Sequence, residues 1–336
     1  MTSPPELLVV VVNYRTPDVT LACLRSLAAE LPALPGARVV VVDNGSGDGS
    51  ARRLRAAIDA EGWGAWATVL ALAENGGFAY GNNRGIAAAP EARYFLLLNS
   101  DTVVSRGSLR YCRDAMDRDP AVGALSCTLL NADGSMQNVA RRFPTPLRRA
   151  AGALGLPWRL PRAFAWADLD DPGWDRWTTR RDVEWLGGAF LFVRGDLVRR
   201  IGGLDEDFFF YGEDVEFCAR VWRAGYRCRY DPTVSIVHLG GTSSDPSRLA
   251  TGHRLAHAWR ARHLVHEKLY GRRSAAVLLA LDRAVIAARL RVLAWTAGPT
   301  DARYANASAV QAVLRSAETV RPWRPPRAAA PPSAGG

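Results

Sequence analysis

The feature that most constrains the fold is Leu7–Val12, LLVVVV, six consecutive aliphatic residues with no polar alternation. A strand with one wet face alternates, whereas a run apolar on both faces reads as a central strand of a parallel sheet. Thr16-Pro17-Asp18 follows, supplying an N-cap, a proline at the first helical position and an early acid. The helix so predicted runs to about Leu31 and is ended by the Pro32–Gly36 segment. Arg38–Val42 is a second buried strand, closed by the polar turn Asp43-Asn44-Gly45-Ser46-Gly47-Asp48. A helix over Ala51–Ala60 and a strand over Ala67–Leu72 come next. The turn Gly76-Gly77 opens another helix, and the strand Tyr94–Leu98 ends in Asn99-Ser100-Asp101.

Strands alternating with helices at this spacing predict an α/β fold with a doubly wound, mostly parallel sheet. Ligands of such sheets bind at the carboxyl ends of the strands, where Asn13, Asp43 and Asn99–Asp101 fall. A dinucleotide-binding oxidoreductase needs a glycine-rich turn after the first strand, so that the pyrophosphate can reach a helix N-terminus. Asn13-Tyr14-Arg15-Thr16-Pro17 contains no glycine, which excludes that reading.

The second half is organised around residues 184–241. Val183–Val193 reads as a buried strand interrupted by Gly187 and Gly188, a pair that marks close approach to the backbone. Gly202-Gly203 then break the chain before an acidic, aromatic loop, Leu204–Gly212. Glu213 and Asp214 open a helix carrying Val215, Ala219 and Trp222 at helical spacing, and Gly225 ends it. After Asp231-Pro232, a short β-rich run, Val234–Val237, ends in His238 and a glycine turn. Two acids at a helix start are ordinary, because the free N–H groups there carry partial positive charge. Their company is less ordinary: a glycine-opened strand before, a lone histidine at a strand end after.

This arrangement resembles the inverting glycosyltransferases of family 2, which have the GT-A fold. WLGGAFLFVR, GGLDEDFFFYGEDVEFCARVWRAGY and VHLGGTS are similar to signatures of its bacterial rhamnosyltransferase subgroup, and the likeness extends over roughly residues 6–245. The resemblance implies a nucleoside diphosphate sugar as donor, a divalent metal (Mn²⁺ or Mg²⁺), and a hydroxyl of a glycan or lipid-linked acceptor. dTDP-rhamnose is the donor it favours. The alternatives are a galactofuranosyl or N-acetylhexosaminyl transferase using a UDP-sugar, and a non-catalytic nucleotide-sugar-binding subunit.

The residues leave Asp43 evenly placed between a turn aspartate and a nucleotide contact; the similarity of VVVDNGSGDGS to the family's pattern tips it to the nucleotide. By the same resemblance Asn13, Tyr14 and Asn83 are nucleotide contacts. Asn99-Ser100-Asp101 corresponds to the D-x-D motif, with Asn99 in place of the first acid, so Asp101 is the expected metal ligand beside Asn99. Hard cations prefer such oxygen donors and neutralise a leaving phosphate. His238 corresponds to a further ligand, and an imidazole favours manganese. Asp214 matches the general base, which takes the acceptor proton while the oxygen attacks from the face opposite the leaving group, with Glu213 orienting it. Trp185 is a candidate wall for a sugar or a core tryptophan.

At 336 residues the chain can hold one large α/β domain with an appendage. The reading divides it into a glycosyltransferase domain at 1–245, a helical extension at 246–320 and a disordered proline-rich tail at 321–336. An insertion at 141–181 is expected to face the acceptor or a membrane, as a long loop with one short amphipathic helix. Five scattered cysteines argue against a disulfide framework or structural zinc and fit a reducing cytoplasm. The net charge of +10 is carried by arginine, Lys268 being the only lysine, and suits phosphorylated ligands and anionic lipid. No nucleic-acid module is recognisable. No signal peptide is expected. The segment 275–295 is too charged for a comfortable span and reads either as a helix on the inner membrane face or as one packed on the domain or on a second copy of the chain.

Overall fold

The aliphatic run that opens the chain is the buried middle of a ten-stranded mixed sheet. A computed structural model describes residues 3–170, 178–240, 251–298 and 300–316; the proline-rich tail lies outside them. The first half alternates as the sequence predicts: β1 (Leu7–Asn13), α1 (Pro17–Ala28), β2 (Ala37–Asp43), α2 (Ser50–Ala60), β3 (Ala67–Ala71), α3 (Phe78–Ile86) and β4 (Tyr94–Asn99). β5 (Thr102–Val103), α4 (Ser108–Arg118), β6 (Val122–Leu130), β7 (Met136–Gln137) and β8 (Ala140–Arg141) follow. Leu7 to Val11 are at most 1% exposed, as expected of a strand with helices on both faces.

The insertion is more helical than expected. It holds α5 (Pro146–Ala153) and two single turns, α6 (Leu156–Arg159) and α7 (Pro161–Phe164). Thr145 caps α5 by accepting the Arg148 N–H, and Pro146 occupies its first position. Val183–Val193 is not one strand but three pieces, β9 (Arg181–Val183), β10 (Trp185–Leu186) and β11 (Phe190–Arg194). β9 pairs with β12, β10 with β8, and β11 with both β4 and β6. Gly187 and Gly188 are the joints between pairings. A Cβ on either would meet no protein atom nearer than 3.5 Å, so no close packing of the protein's own backbone or side chains requires them.

α8 (Gly195–Ile201), α9 (Glu213–Arg223) and β12 (Arg227–His238) complete the sheet, and α10 (Thr251–Tyr270), α11 (Arg272–Thr296) and α12 (Ala302–Arg315) form the extension. The strand order is β3-β2-β1-β4-β11-β6-β12-β5. β3, β2, β1 and β4 run parallel, whereas β11 is antiparallel to both β4 and β6. β12 is longer than the sequence indicates: it begins at Arg227, and a register shift between Asp231 and Ser235 absorbs Pro232.

Two registers position the site. Asn13 sits opposite Asp43 at the ends of β1 and β2. His238, at the end of β12, pairs with Thr102 of β5, and the Leu239 N–H donates to the Asp101 carbonyl at 2.9 Å.

Candidate active site

A cleft of ≈ 390 Å³ opens at the carboxyl ends of β1 and β4, and Tyr14, Asn99, Asp101, Glu213, Asp214 and His238 all line it. Sequence positions more than two hundred residues apart thus meet at one site. The other four candidates, Asn13, Asp43, Asn83 and Trp185, do not line it.

Asn13 is fully buried. Its Nδ2 donates to Asp43 Oδ1 at 2.6 Å and to Ser46 Oγ at 3.3 Å, and its Oδ1 accepts from the Thr20 hydroxyl at 2.9 Å. Those contacts commit the amide to fixing Asp43, itself only 4% exposed. Asn83 is likewise committed: Nδ2 donates to the Leu204 carbonyl and Glu206, and Oδ1 accepts the Leu204 N–H. It ties α3 to the acidic loop rather than facing the cleft. Trp185 does not line the cleft either; its indole N–H donates to the Arg142 carbonyl at 2.9 Å and its ring packs on the core.

Asp101 is 2% exposed, and its Oδ1 lies 3.3 Å from His238 Nε2. Asn99 Nδ2 lies 3.1 Å from the same nitrogen. Among the described residues no cluster of three or more His, Cys, Asp or Glu side chains could hold a metal. The pair nonetheless fits a hard divalent ion with oxygens of a ligand completing its shell. Metal–ligand bonds of about 2.1 Å place adjacent donors of an octahedral ion about 3 Å apart, close to the spacing found here.

Gly212, with φ of 94°, caps α9, and Glu213, Asp214 and Glu216 occupy its first turn. Glu216 is structural: it pairs with Arg220, which donates to the carbonyls of Ile201 and Gly203. The other two face the cleft in different environments. Asp214 is half-buried; its Oδ2 accepts the Gly188 N–H at 3.2 Å and its Oδ1 the Val215 N–H at 2.8 Å. Burial raises its pKa, while those N–H groups and the charge of Arg141 pull it back. Glu213 is 5% exposed and its Oε2 has no hydrogen-bond partner among the described residues. Burial, reinforced by the neighbouring Asp214, pushes its carboxyl up to about 8. Burial thus raises both adjacent acids, while Asp214 has backbone donors at both oxygens and Glu213 has one oxygen without a partner among the described residues.

The sequence reading missed several cleft residues. Asn44 donates to Asn75 Oδ1 and to the Gly77 carbonyl, both at 2.9 Å, which joins the β2 turn to the glycine turn. Gly77 has φ of 91°, and a Cβ there would fall 2.4 Å from the Phe209 carbonyl. Only glycine permits the bond from the Phe78 N–H to that carbonyl, 2.9 Å, which seats the aromatic loop against α3. Tyr211 holds a left-handed backbone (φ of 70°), uncommon for a bulky residue. His257 reaches the cleft from α10 and stacks on Phe209, with ring centroids 5.0 Å apart. No local motif signals His257, because α10 is brought there by packing Ala261, Leu264 and Val265 against Phe208 and Val215.

The comparisons with known proteins bear on the family and the fold. The profile of glycosyl transferase family 2 matches residues 8–165, and that of glycosyl transferase family group 2 matches residues 174–299. The N-acetylglucosaminyl-diphospho-decaprenol L-rhamnosyltransferase of Mycobacterium tuberculosis is 32% identical over 247 residues, 68% of this chain and 75% of the relative. Rhamnosyltransferase WbbL of Escherichia coli is 26% identical over 172 residues, 48% of this chain and 60% of the relative. Among solved structures, the mannosyltransferase PcManGT of Pyrobaculum calidifontis, in complex with GDP-Man and Mn²⁺, superposes with a TM-score of 0.56 at 18% identity, covering 93% of this chain and 86% of that one. The alternating sheet, the cleft at its strand ends and these matches make the chain a glycosyltransferase of family 2, GT-A in fold and rhamnosyltransferase-like within that family.

Proposed function

We propose that this chain is a metal-dependent inverting glycosyltransferase that moves rhamnose from dTDP-rhamnose to a hydroxyl of a lipid-linked glycan acceptor. The observation that carries the reading is one cleft lined by both Asp101 with His238 and Asp214 with Glu213. A single-displacement transfer needs these two halves: one to hold a leaving diphosphate, one to take a proton from the incoming hydroxyl.

The nucleoside is placed against Tyr14, Asn44 and Asn75, the cleft residues next to β1 and the two turns. Asp101 and His238 would hold the divalent ion, which when bound neutralises charge on the departing diphosphate. Asp214 accepts the proton of the acceptor hydroxyl as the oxygen bonds to the anomeric carbon. The bond from that carbon to the diphosphate oxygen breaks on the opposite face, so the anomeric configuration inverts. Glu213, kept protonated by burial, adds no second negative charge beside Asp214 at neutral pH. Phe209, Tyr211 and His257 wall the acceptor end.

The lipid-linked acceptor draws support from the M. tuberculosis relative, whose name specifies a diphospho-decaprenol acceptor, and from the surface. α5 and α11 pack on one another. Trp158, beyond α5, is 80% exposed and Trp295 of α11 is 89% exposed. Leu147, Leu154 and Val292 are exposed too, interleaved with Arg159, Arg162, Arg289 and Arg291. Among the described residues no helix is long and apolar enough to cross a membrane. Apolar side chains set among arginines suit the interface of an anionic leaflet.

The test is a thermal-shift panel of nucleotide sugars with and without Mn²⁺. Ligand at a hundredfold its Kd stabilises by about 2.7 kcal/mol, so dTDP-rhamnose should raise the midpoint in an Mn²⁺-dependent way. Asp101→Ala should lose most of that shift. Stabilisation by a UDP-sugar alone would replace the donor, and an undiminished shift in Asp101→Ala would remove the metal assignment.

A further inference from the structure

Gln137 lies in β7, opposite Leu129 of β6, and does not line the cleft. Its side chain is nonetheless fully engaged with the cleft's histidine. Nε2 donates to Asn131 Oδ1 at 2.7 Å and to the His238 backbone carbonyl at 2.7 Å. Both acceptors are oxygens, so the orientation of the amide is settled by its surroundings. The atom left facing His238 Nδ1, at 2.7 Å, is therefore the carbonyl oxygen Oε1. An amide oxygen brings no proton to that contact, so Nδ1 must be the donor.

The consequence is at the other ring nitrogen. In a neutral imidazole with Nδ1–H, Nε2 carries the lone pair, and the partner of one nitrogen sets the state of the other. Nε2 is the nitrogen turned to the cleft, 3.1 Å from Asn99 Nδ2 and 3.3 Å from Asp101 Oδ1. The opposite tautomer would aim an N–H at the position a cation must take. We propose that Gln137 is a positioning residue: it selects the Nδ1–H tautomer of His238 and fixes the ring, so that Nε2 is delivered as a lone-pair donor beside Asp101. Asn99 donates to that lone pair in the metal-free protein, which gives a reason for an amide where the related motif has an acid. The inference rests on the metal reading above and adds the residue that makes the histidine competent.

The experiment uses the full chain and two readouts. Ring ¹⁵N shifts of His238, assigned by their loss in His238→Ala and recorded at pH 8.5 without metal, should show the Nδ1–H tautomer. In Gln137→Met, of similar length and without an acceptor, they should move toward the Nε2–H form. Mn²⁺ binding, followed by electron paramagnetic resonance, should weaken by about 10- to 100-fold in the same variant, as for loss of a ligand's outer partner. Gln137→Glu, which keeps an oxygen for Nδ1, should retain the tautomer and serves if the methionine variant fails to fold. An Nε2–H tautomer in the wild type, or unchanged Mn²⁺ affinity in Gln137→Met, overturns the proposal while leaving the metal site standing. Unchanged Mn²⁺ binding in His238→Ala overturns the metal site itself, and this proposal with it.

Discussion

The carboxylate of Asp214 and the backbone N–H of Gly188 meet at 3.2 Å in the lining of the cleft. This bond ties the start of α9 to the joint between β10 and β11 and favours the Asp214 anion, while Glu213 Oε2 has no partner among the described residues. Donors at both of its oxygens favour the charged form of Asp214, the acid proposed as the base.

Asp214→Asn should therefore lower turnover by about a hundred- to ten-thousand-fold, the usual contribution of a general base. Donor affinity should barely change, because the proposed role of Asp214 is toward the acceptor hydroxyl and not the diphosphate. Rate and donor binding measured on one folded sample check this. Near-normal turnover would leave both acids as helix-start residues, worth up to about 1 kcal/mol of stability each.

Glu213 makes a prediction about stability and pH. Its folded pKa is raised from 4.5 to about 8 by burial and the adjacent Asp214. A raised carboxyl binds its proton more tightly when folded, so its contribution is fully present below about pH 4.5. It is lost progressively as pH climbs to about 8. Glu213→Gln should flatten that decline, leaving only the share due to Asp214, and should cost less turnover than Asp214→Asn. Urea titrations at several pH values between 4.5 and 8 check the slope. A wild-type slope retained in the variant contradicts the assignment.

Asp282 of α11 is 3% exposed and pairs with Arg262 at 2.9 Å and His263 at 3.1 Å, both on α10. Burial alone would raise its pKa, but the bonds from His263 and Arg262 and the charge of Arg262 outweigh that and hold it low. Removing one partner of a buried pair strands the other and costs about 3–5 kcal/mol. Asp282→Ala should lose stability at the lower end of that range, since Arg262 keeps some solvent contact. Chemical unfolding measures it. Because α10 also carries His257, a thermal-shift gain from donor that survives intact in this variant would show that the nucleotide half does not depend on the extension.

The exposed tryptophans give the membrane prediction. The wild type should float with anionic vesicles at low salt and be released at high salt, because the attraction is screened within a Debye length. Trp158→Ala with Trp295→Ala should abolish flotation while leaving turnover on a soluble acceptor unchanged. Failure of the wild type to float at low salt would reduce α11 to a helix packed on the domain.

Local periodicity was enough to place β1 to β4, their helices and the strand ends where the cleft opens, because a strand buried on both faces and an amphipathic helix each leave a repeat in the chain. The acids at the start of α9 and the histidine ending β12 fall at element boundaries that periodicity marks, but only their resemblance to the family's motifs, GEDVEFCARVWRAGY and VHLGGTS, singled them out. What tertiary structure decided was which side chains face the cleft and which stand behind it. Asn13 and Asn83 sit at motif positions, yet the register of β1 on β2 and the docking of the acidic loop consume their hydrogen bonds internally. The split of residues 183–193 into three strands depends on separate partners for each. His257 and Gln137 carry no local signature at all, since one arrives by helix packing and the other by the pairing of β7 with β6. A sequence records the period of each element; the partner of a side chain is fixed only when elements distant in the chain are brought into register.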